Sequence, residues 1–257
     1  MIFDIVIPVG PNDAHVIQTM IEFTRKNVIG YRNIYLVVFD PTIVVDDRCI
    51  IIDEKIFPFT IATLLVALGG TTDTSRVGWY LQQLIKLYAG KVIDGILNEY
   101  LVVDADTYFL RPTTFFDEST GVPLYNVGTE YHPPYFEHMQ KLHPYLTKKT
   151  QYSGICHHMV FQTDRICELF RMVEAAHIDD DGDGTITIRP FHEIFMRNVS
   201  PQHRVASGAS EYEIYFNFLL DQYPDKFKIR VLPWKNTNVL NVNDTSVNYV
   251  SYHWYLR

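Results

Sequence analysis

The first part of the chain alternates short apolar runs with stretches of helical spacing. The apolar runs have the length of buried strands and are Phe3 to Val9, Ile34 to Phe39, Cys49 to Ile52 and Tyr100 to Val103. Helical spacing covers residues 14–27 and 76–88, which lie between these runs. Strands that alternate with helices predict βαβ units. We therefore expect an α/β fold with a mixed, mostly parallel sheet flanked by helices.

The second part is less regular, and no linker or repeat separates it from the first. We therefore predict a single domain over residues 1–257, with a ligand-binding half at about 1–112 and a second half at about 113–257. A helix is expected over 166–176 and another over 210–221, with strand-like pieces at 227–232 and 249–252.

Composition narrows the class of protein. The formal net charge of −8 argues against non-specific nucleic-acid binding, which depends on a basic surface. The three cysteines show no metal-binding spacing, and the longest apolar stretch is far shorter than a bilayer requires. With no signal-peptide pattern at the N-terminus, these features predict a cytoplasmic protein without a transmembrane segment.

Ligands of parallel sheets bind beyond the carboxyl ends of the strands, and two aspartates follow the fourth predicted strand. Asp104 and Asp106 are two residues apart, so an extended backbone places them on one face. Two carboxylates suit a hard cation such as Mg²⁺ or Mn²⁺, with positions left for water and phosphate. The alternative is a pair of solvated aspartates in a turn, because this spacing is common.

Several short motifs occur in an order that resembles the GT-A glycosyltransferases, in particular a small family of bacterial and viral proteins. The motifs are Asp4-Ile-Val-Ile-Pro-Val9, Arg76 to Tyr88, Val102-Val-Asp-Ala-Asp-Thr107, Ser210-Glu-Tyr-Glu-Ile-Tyr215 and Ser251-Tyr-His-Trp254. The resemblance implies a GT-A fold, a UDP- or GDP-sugar donor and an Mn²⁺ or Mg²⁺ ion. It further implies transfer of a hexosyl or deoxyhexosyl group to a hydroxyl of a glycan or glycoprotein acceptor.

The predicted donor site combines the carboxylate pair with residues from three other segments. Arg76, Gln83 and Lys86 share one helical stripe with Trp79, and we expect the cations to reach phosphate or the aspartates. Solvated cations beside a core tryptophan are the alternative. The resemblance implies that Pro8 and Val9 receive the nucleotide base and that Ala105 contacts the donor. It also implies that His253 joins the metal, as a third ligand, or the diphosphate, and the alternative is a place in an aromatic cluster.

The predicted acceptor side includes a carboxylate at a helix start. In Ser210-Glu-Tyr-Glu213, the first and last residues form the pattern of a capping box, which leaves Glu211 free. We predict Glu211 as the base of an inverting transfer, whereas a retaining transfer would not need it. Family order places His157, His158 and Trp254 near the acceptor. Adjacent strand residues face opposite ways, so only one of the two histidines is expected to point into a site.

An acidic segment resembles the first eight positions of an EF-hand calcium loop. Asp179, Asp181 and Asp183 have the spacing of its first three ligands. Pro190 occupies the twelfth position, where the pattern requires a bidentate glutamate. A structural Ca²⁺ site and a plain acidic surface loop both remain open.

Two other classes of function compete with sugar transfer. A nucleotidyltransferase on a related sheet is one, although it usually has a glycine-rich basic loop after the first strand, where this chain has Pro11-Asn-Asp13. A non-catalytic sugar- or calcium-binding module is the other, but it has no need of the Asp-Ala-Asp pair.

Overall fold

The computed structural model of the protein describes residues 1–42, 46–70, 73–180 and 186–252. The strands are β1 (Phe3–Val9), β2 (Tyr31–Val38), β3 (Ile50–Asp53), β4 (Glu99–Val103), β5 (Thr107–Phe109), β6 (Leu124–Asn126), β7 (His158–Gln162), β8 (Ile178–Asp180), β9 (Ile186–Ile188), β10 (Lys228–Arg230), β11 (Trp234–Asn236) and β12 (Tyr249–Ser251). The helices are α1 (Ile17–Asn27), α2 (Ile61–Ala67), α3 (Val77–Val92), α4 (Pro133–Leu142), α5 (Thr163–Ala176), α6 (Phe191–Arg197) and α7 (Glu211–Gln222).

The main sheet has the strand order β3-β2-β1-β4-β7. The first four strands in this order are parallel, and β7 runs antiparallel to β4. Helices flank the sheet, and α3 packs against β1. The predicted α/β fold with a mixed, mostly parallel sheet is therefore confirmed.

Strand β1 is buried along its whole length, as its mostly apolar sequence predicts, and its one charged residue, Asp4, is buried with the rest. It pairs with β2 on one side and with β4 on the other. Strands β2 and β3 lie on one side of β1 and the later strands β4 and β7 on the other, so the strand order reverses at β1. Such a reversal opens a crevice at the carboxyl ends of the two central strands, and ligands of open α/β sheets bind there. The residues that follow β1 and β4 therefore occupy the most favourable position for a site.

A glycine in α3 brings this helix close to the central sheet. A Cβ at Gly90 would overlap the hydroxyl of Thr163 and lie 2.8 Å from the ring of Tyr100 in β4. Tyr100 in turn donates its hydroxyl to the backbone oxygen of Lys86, at 3.2 Å. The close approach holds the Lys86 turn of α3 beside the end of β4.

The second half returns to the first through small sheets. Strand β12 runs antiparallel to β5 and parallel to β11, while β10 pairs with β6. One apolar cluster contains side chains of both halves, including Ile5, Val102, Phe161 and Phe216. None of the described helices combines the length and the apolar character that a bilayer crossing requires.

Candidate metal centre

Asp104 lies in a tight turn between β4 and β5, at the end of the central strands. Its backbone N–H donates to the carbonyl of His157 (2.9 Å), and its carbonyl accepts from the N–H of Thr107 (3.0 Å). Both bonds fix the backbone, so the position of the carboxylate is set by the pairing of β4 with its neighbours. The carboxylate pair follows β4 as predicted, but it lies in a turn rather than in the extended backbone from which a shared face was expected.

Lys86 reaches this carboxylate from α3. Its ammonium donates to Asp104 Oδ1 at 2.5 Å, to Glu211 Oε1 at 2.6 Å and to the hydroxyl of Tyr212 at 3.3 Å. The Tyr212 hydroxyl donates to the same oxygen of Asp104 at 3.0 Å. Only 7% of the Lys86 side chain is exposed. A lysine this deeply buried requires paired carboxylates, because an isolated charge would be costly to desolvate.

The charges of this group stabilise one another. Burial disfavours the charged form of Lys86, but Asp104 and Glu211 outweigh it and raise the pKa of the ammonium. Burial would raise the pKa of Asp104, but Lys86 and then His157 hold it well below its usual range. The pKa of Glu211 is raised by burial, against the attraction of Lys86.

His157 faces Asp104 from the position immediately before β7. Its Nδ1 lies 3.1 Å from Asp104 Oδ2, and its ring packs edge-on against Trp234. Its φ of 62° is in the left-handed region, which is uncommon for a non-glycine residue and is often found at functional sites. The conformation turns the His157 ring toward the carboxylates before the chain enters the strand.

The side chains of Asp104, Asp106 and His157 form a cluster that could hold a metal ion. Each offers one ligand atom, and these three atoms lie within 4.8 Å of one another. Two carboxylates and one imidazole are a suitable donor set for Mn²⁺, and oxygen ligands also suit Mg²⁺. The residues therefore fit the divalent cation that the sequence predicts. His157 was predicted as an acceptor contact, and the structure places its imidazole beside Asp104 and Asp106 as a third donor group.

The end of the chain approaches Asp106. The hydroxyl of Ser251 donates to Asp106 Oδ1 at 3.3 Å, and the backbone N–H of Tyr252 donates to the Asp106 carbonyl at 2.7 Å. The predicted metal ligand His253 and the predicted acceptor contact Trp254 lie outside the described residues, so both remain predictions.

The prediction that Glu211 is left free at the helix start is wrong. Glu211 is 3% exposed, its carboxylate is bound by Lys86, and its backbone N–H donates to Gln83 Oε1 at 3.1 Å. Half of the predicted capping box is present, since Ser210 Oγ accepts from the Glu213 N–H. The Glu213 carboxylate turns away and accepts from Ser153 (2.5 Å) and Asn217 (2.8 Å). Glu211 is paired with a buried lysine from another helix, and the local sequence does not reveal this pairing.

The acceptor role predicted for His158 is not supported by its position. His158 is 4% exposed and packs edge-on against Phe109, Phe115 and Tyr249. Burial, with Arg230 and His157 nearby, lowers its pKa to about 3. His157 precedes β7 in a left-handed conformation that faces the cluster, while His158, the first residue of β7, enters the core.

The predicted stripe of α3 divides into two parts. Lys86 and Gln83 face α7, whereas Arg76 donates to Ala206 O (3.3 Å) and to Ser207 Oγ (3.1 Å) and stacks on Trp79. Ten residues of helix separate Arg76 from Lys86 by roughly 15 Å along the axis. Lys86 reaches an aspartate, as one form of the prediction has it. A contact of Arg76 with phosphate stays a prediction.

The remaining predicted donor contacts lie at the same sheet edge. Pro8 and Val9 end β1, and both are buried. Ala105 is buried between the two aspartates. Their positions beside the crevice agree with a donor site, and their contacts with a nucleotide stay a prediction.

Asp179, at the start of the acidic segment, lies in strand β8. Strands β8 and β9 pair antiparallel, with Asp179 opposite Thr187. Asp181 and Asp183 lie outside the described residues. An EF-hand loop leads directly from one helix to the next, whereas here strands stand between α5 and α6. The calcium site stays a prediction, and the two strands do not favour it.

Three residues of the site were missed by the sequence analysis. Tyr212 and Ser251 hydrogen-bond the two aspartates, and Trp234 packs against His157. Tyr212 and Ser251 belong to motifs quoted above, so their proximity to the site had a signal. Trp234 had none.

Comparison with known proteins gives a family match. No curated protein matches the chain. The model of a family of unknown function, DUF6492, matches residues 40–227, an interval that includes Lys86, Asp104, Asp106, His157 and Glu211. Since this match covers well over half of the chain, the protein belongs to the DUF6492 family.

Proposed function

We propose that this protein is a divalent-metal-dependent glycosyltransferase that moves a sugar from a UDP- or GDP-sugar to a hydroxyl of a glycan or glycoprotein. The observation that carries the proposal is the cluster of Asp104, Asp106 and His157 at the carboxyl edge of the sheet, beside the crevice between β1 and β4. The order of short motifs that resembles the GT-A enzymes supports the same class.

The residues of this chain would bind the cation and provide a fixed electrostatic environment around it. Asp104, Asp106 and His157 would hold Mn²⁺ or Mg²⁺, and the bound cation would offset diphosphate charge as the sugar–phosphate bond breaks. Lys86 keeps Asp104 ionised and in place. Pro8 and Val9 border the crevice on the β1 side, where the donor would enter.

The test is a panel of UDP- and GDP-sugars assayed for release of nucleoside diphosphate, with and without Mn²⁺. We expect wild-type protein to hydrolyse or transfer from one donor in a metal-dependent manner, and Asp104→Asn to fall to the metal-free background. Asp225→Asn, at an exposed aspartate, is the matched control and should behave as wild type.

The competing classes give different products. Release of pyrophosphate from nucleoside triphosphates would indicate nucleotidyl transfer instead. Binding of a sugar or of Ca²⁺ without turnover of any nucleotide-sugar would indicate a non-catalytic module. Either result, or metal-independent release that survives Asp104→Asn, would refute the proposal.

A separate test addresses the histidine. His157→Asn should weaken Mn²⁺ binding by roughly 10-fold or more, judged against the losses that follow removal of even supporting residues. His15→Asn, at an exposed histidine, serves as the control. Calorimetry of the protein with Mn²⁺ alone makes the measurement, and unchanged affinity in His157→Asn would remove this residue from the ligand set.

A further inference from the structure

The ammonium of Lys86 is enclosed by oxygen atoms. It donates to Asp104, Glu211 and Tyr212 at 2.5, 2.6 and 3.3 Å, which uses all three of its N–H groups. The ring of Tyr212 also lies against it, with 4.5 Å between Nζ and the ring centroid. Lys86 is therefore a fixed positive charge rather than a mobile surface lysine.

The two oxygens of Asp104 are divided between two directions. Oδ1 accepts from Lys86 and from Tyr212, whereas Oδ2 faces Nδ1 of His157 at 3.1 Å. A carboxylate held in this way bridges a cation on one side and a ligand position on the other. Paired-metal sites use bridging carboxylates in the same manner, with a second cation where this chain has an ammonium.

We propose that Lys86 is a built-in cation that takes the place of a second metal ion and, with Glu211, sets the charge of the cluster for a single divalent cation. The inference rests on the metal ion of the proposed function and does not depend on sugar transfer. It makes Glu211 a positioning residue that acts through Lys86, in place of the base that the sequence predicts.

A count of charges gives the reason. Asp104, Asp106 and Glu211 contribute three negative charges and Lys86 one positive charge, with imidazole counted as neutral. The two remaining negative charges are balanced by one divalent cation. Loss of the Glu211 charge leaves one negative charge, and loss of the charges of both Glu211 and Lys86 restores two.

Because the double variant restores the charge of the cluster, its Mn²⁺ affinity distinguishes an electrostatic role of Lys86 and Glu211 from a purely structural one. Mn²⁺ affinity is measured by calorimetry, without a nucleotide, for wild type, Glu211→Gln and the double variant Lys86→Met/Glu211→Gln. We expect Glu211→Gln to bind Mn²⁺ roughly 10- to 100-fold more weakly, as one lost charge at a few ångströms predicts. The double variant should recover most of this loss.

Glu137→Gln, at an exposed glutamate of α4, is the matched control and should retain wild-type affinity. Circular dichroism establishes that each variant is folded before titration. Because Glu211→Gln preserves the shape of the side chain, it keeps the test usable even where the double variant does not fold.

Three outcomes would overturn the inference. They are a Glu211→Gln affinity equal to that of wild type, a double variant that binds no better than Glu211→Gln, and a wild-type protein that does not bind Mn²⁺. A Glu211→Gln variant that loses donor turnover at unchanged Mn²⁺ affinity would return the residue to the role of base. The expected affinities in a protein that releases no nucleoside diphosphate would leave this inference standing and refute sugar transfer alone.

Discussion

In residues 1–112 the buried charged side chains form close ion pairs, whereas in residues 113–252 buried titratable groups are mostly held by neutral partners. Among the described residues of the first half, Asp4 pairs with Arg32 and Asp46 with Arg48, both at 2.6 Å, and Lys86 pairs with Asp104 at 2.5 Å. In the second half, Glu213 is bound by a serine and an asparagine, and its nearest cation, Lys148, is 3.9 Å away.

The histidines extend this difference. Burial lowers the pKa of His138 to about 4, and its Nε2 hydrogen-bonds the Phe195 carbonyl at 2.8 Å. Burial also lowers the pKa of His192, whose ring lies by the Tyr88 hydroxyl. Removal of one partner should therefore lower the free energy of unfolding strongly in the first half, where it leaves a buried charge, and less in the second half.

Removal of Lys86 should have the largest effect on stability. Lys86→Met leaves Asp104 and Glu211 buried without their shared cation, and breaking a buried pair typically costs about 3–5 kcal/mol. Urea unfolding followed by circular dichroism measures the free energy. Lys91→Met, at an exposed lysine near the end of the same helix, is the control, and an equally small loss in both variants would break the comparison.

Acid should weaken the second half through His138. The pKa of His138 is lowered in the folded protein. Below a pH of about 6.5, the pKa in the unfolded state, the unfolded chain therefore binds a proton that the folded protein does not bind. Stability from this group is unchanged above pH 6.5, falls as the pH drops to about 4, and is constant below. The loss over this window is about 3 kcal/mol.

The measurement is urea unfolding at several pH values between 7 and 4. His138→Gln should reduce the slope of unfolding free energy against pH over this window. The reduction corresponds to the uptake of about one proton fewer on unfolding. His15→Gln, at an exposed position, should keep the wild-type slope. If the His138 variant also keeps it, protonation of this residue is not linked to folding.

Asp4 gives a smaller test of the first half. It is fully buried and accepts from two nitrogens of Arg32 and from the backbone N–H groups of Asn33 and Leu97. Asp4→Asn places an amide among these donors and should cost about 2 kcal/mol in unfolding free energy. Asp94→Asn, at an exposed position, is the comparison, and an Asp4 variant as stable as wild type would contradict the reading of this pair.

Glu213 should show the smallest effect. Burial raises the pKa of this carboxyl, and the Ser153 hydroxyl can accept as well as donate, so it accommodates an amide. Glu213→Gln should therefore change the unfolding free energy by less than about 1 kcal/mol. A loss above about 2 kcal/mol in the same urea assay would mean that Glu213 is ionised and paired like the carboxylates of the first half.

The main strands and helices of the first half could be predicted because their sequence signals are local. The run over 3–9 matches β1 in full, and the helical spacing over 76–88 begins one residue before the helix, which runs from Val77 to Val92. The second half has shorter strands, and β6, β8, β9, β11, α4 and α6 were not predicted. Strands of three residues and a helix rich in aromatic and histidine residues carry too little periodicity to be recognised.

The candidate site divides in the same manner. Sequence placed Asp104 and Asp106 at the end of a buried strand, because their spacing and the preceding apolar run are local features. It could not show that Lys86 and Glu211, 125 positions apart, share a hydrogen bond. Nor could it move His157 from the acceptor side to the carboxylates, since that depends on β7 lying antiparallel beside β4.

The amino-acid sequence by itself determined the α/β class, the position of the carboxylate pair and the helices that carry Lys86 and Glu211. Only the tertiary structure decided which cation meets which carboxylate and which of two adjacent histidines faces the site. The physical reason is that periodicity and strand ends are set by neighbours along the chain. Ion pairs and ligand clusters are set instead by strand order, register and the close approach of α3 to β4.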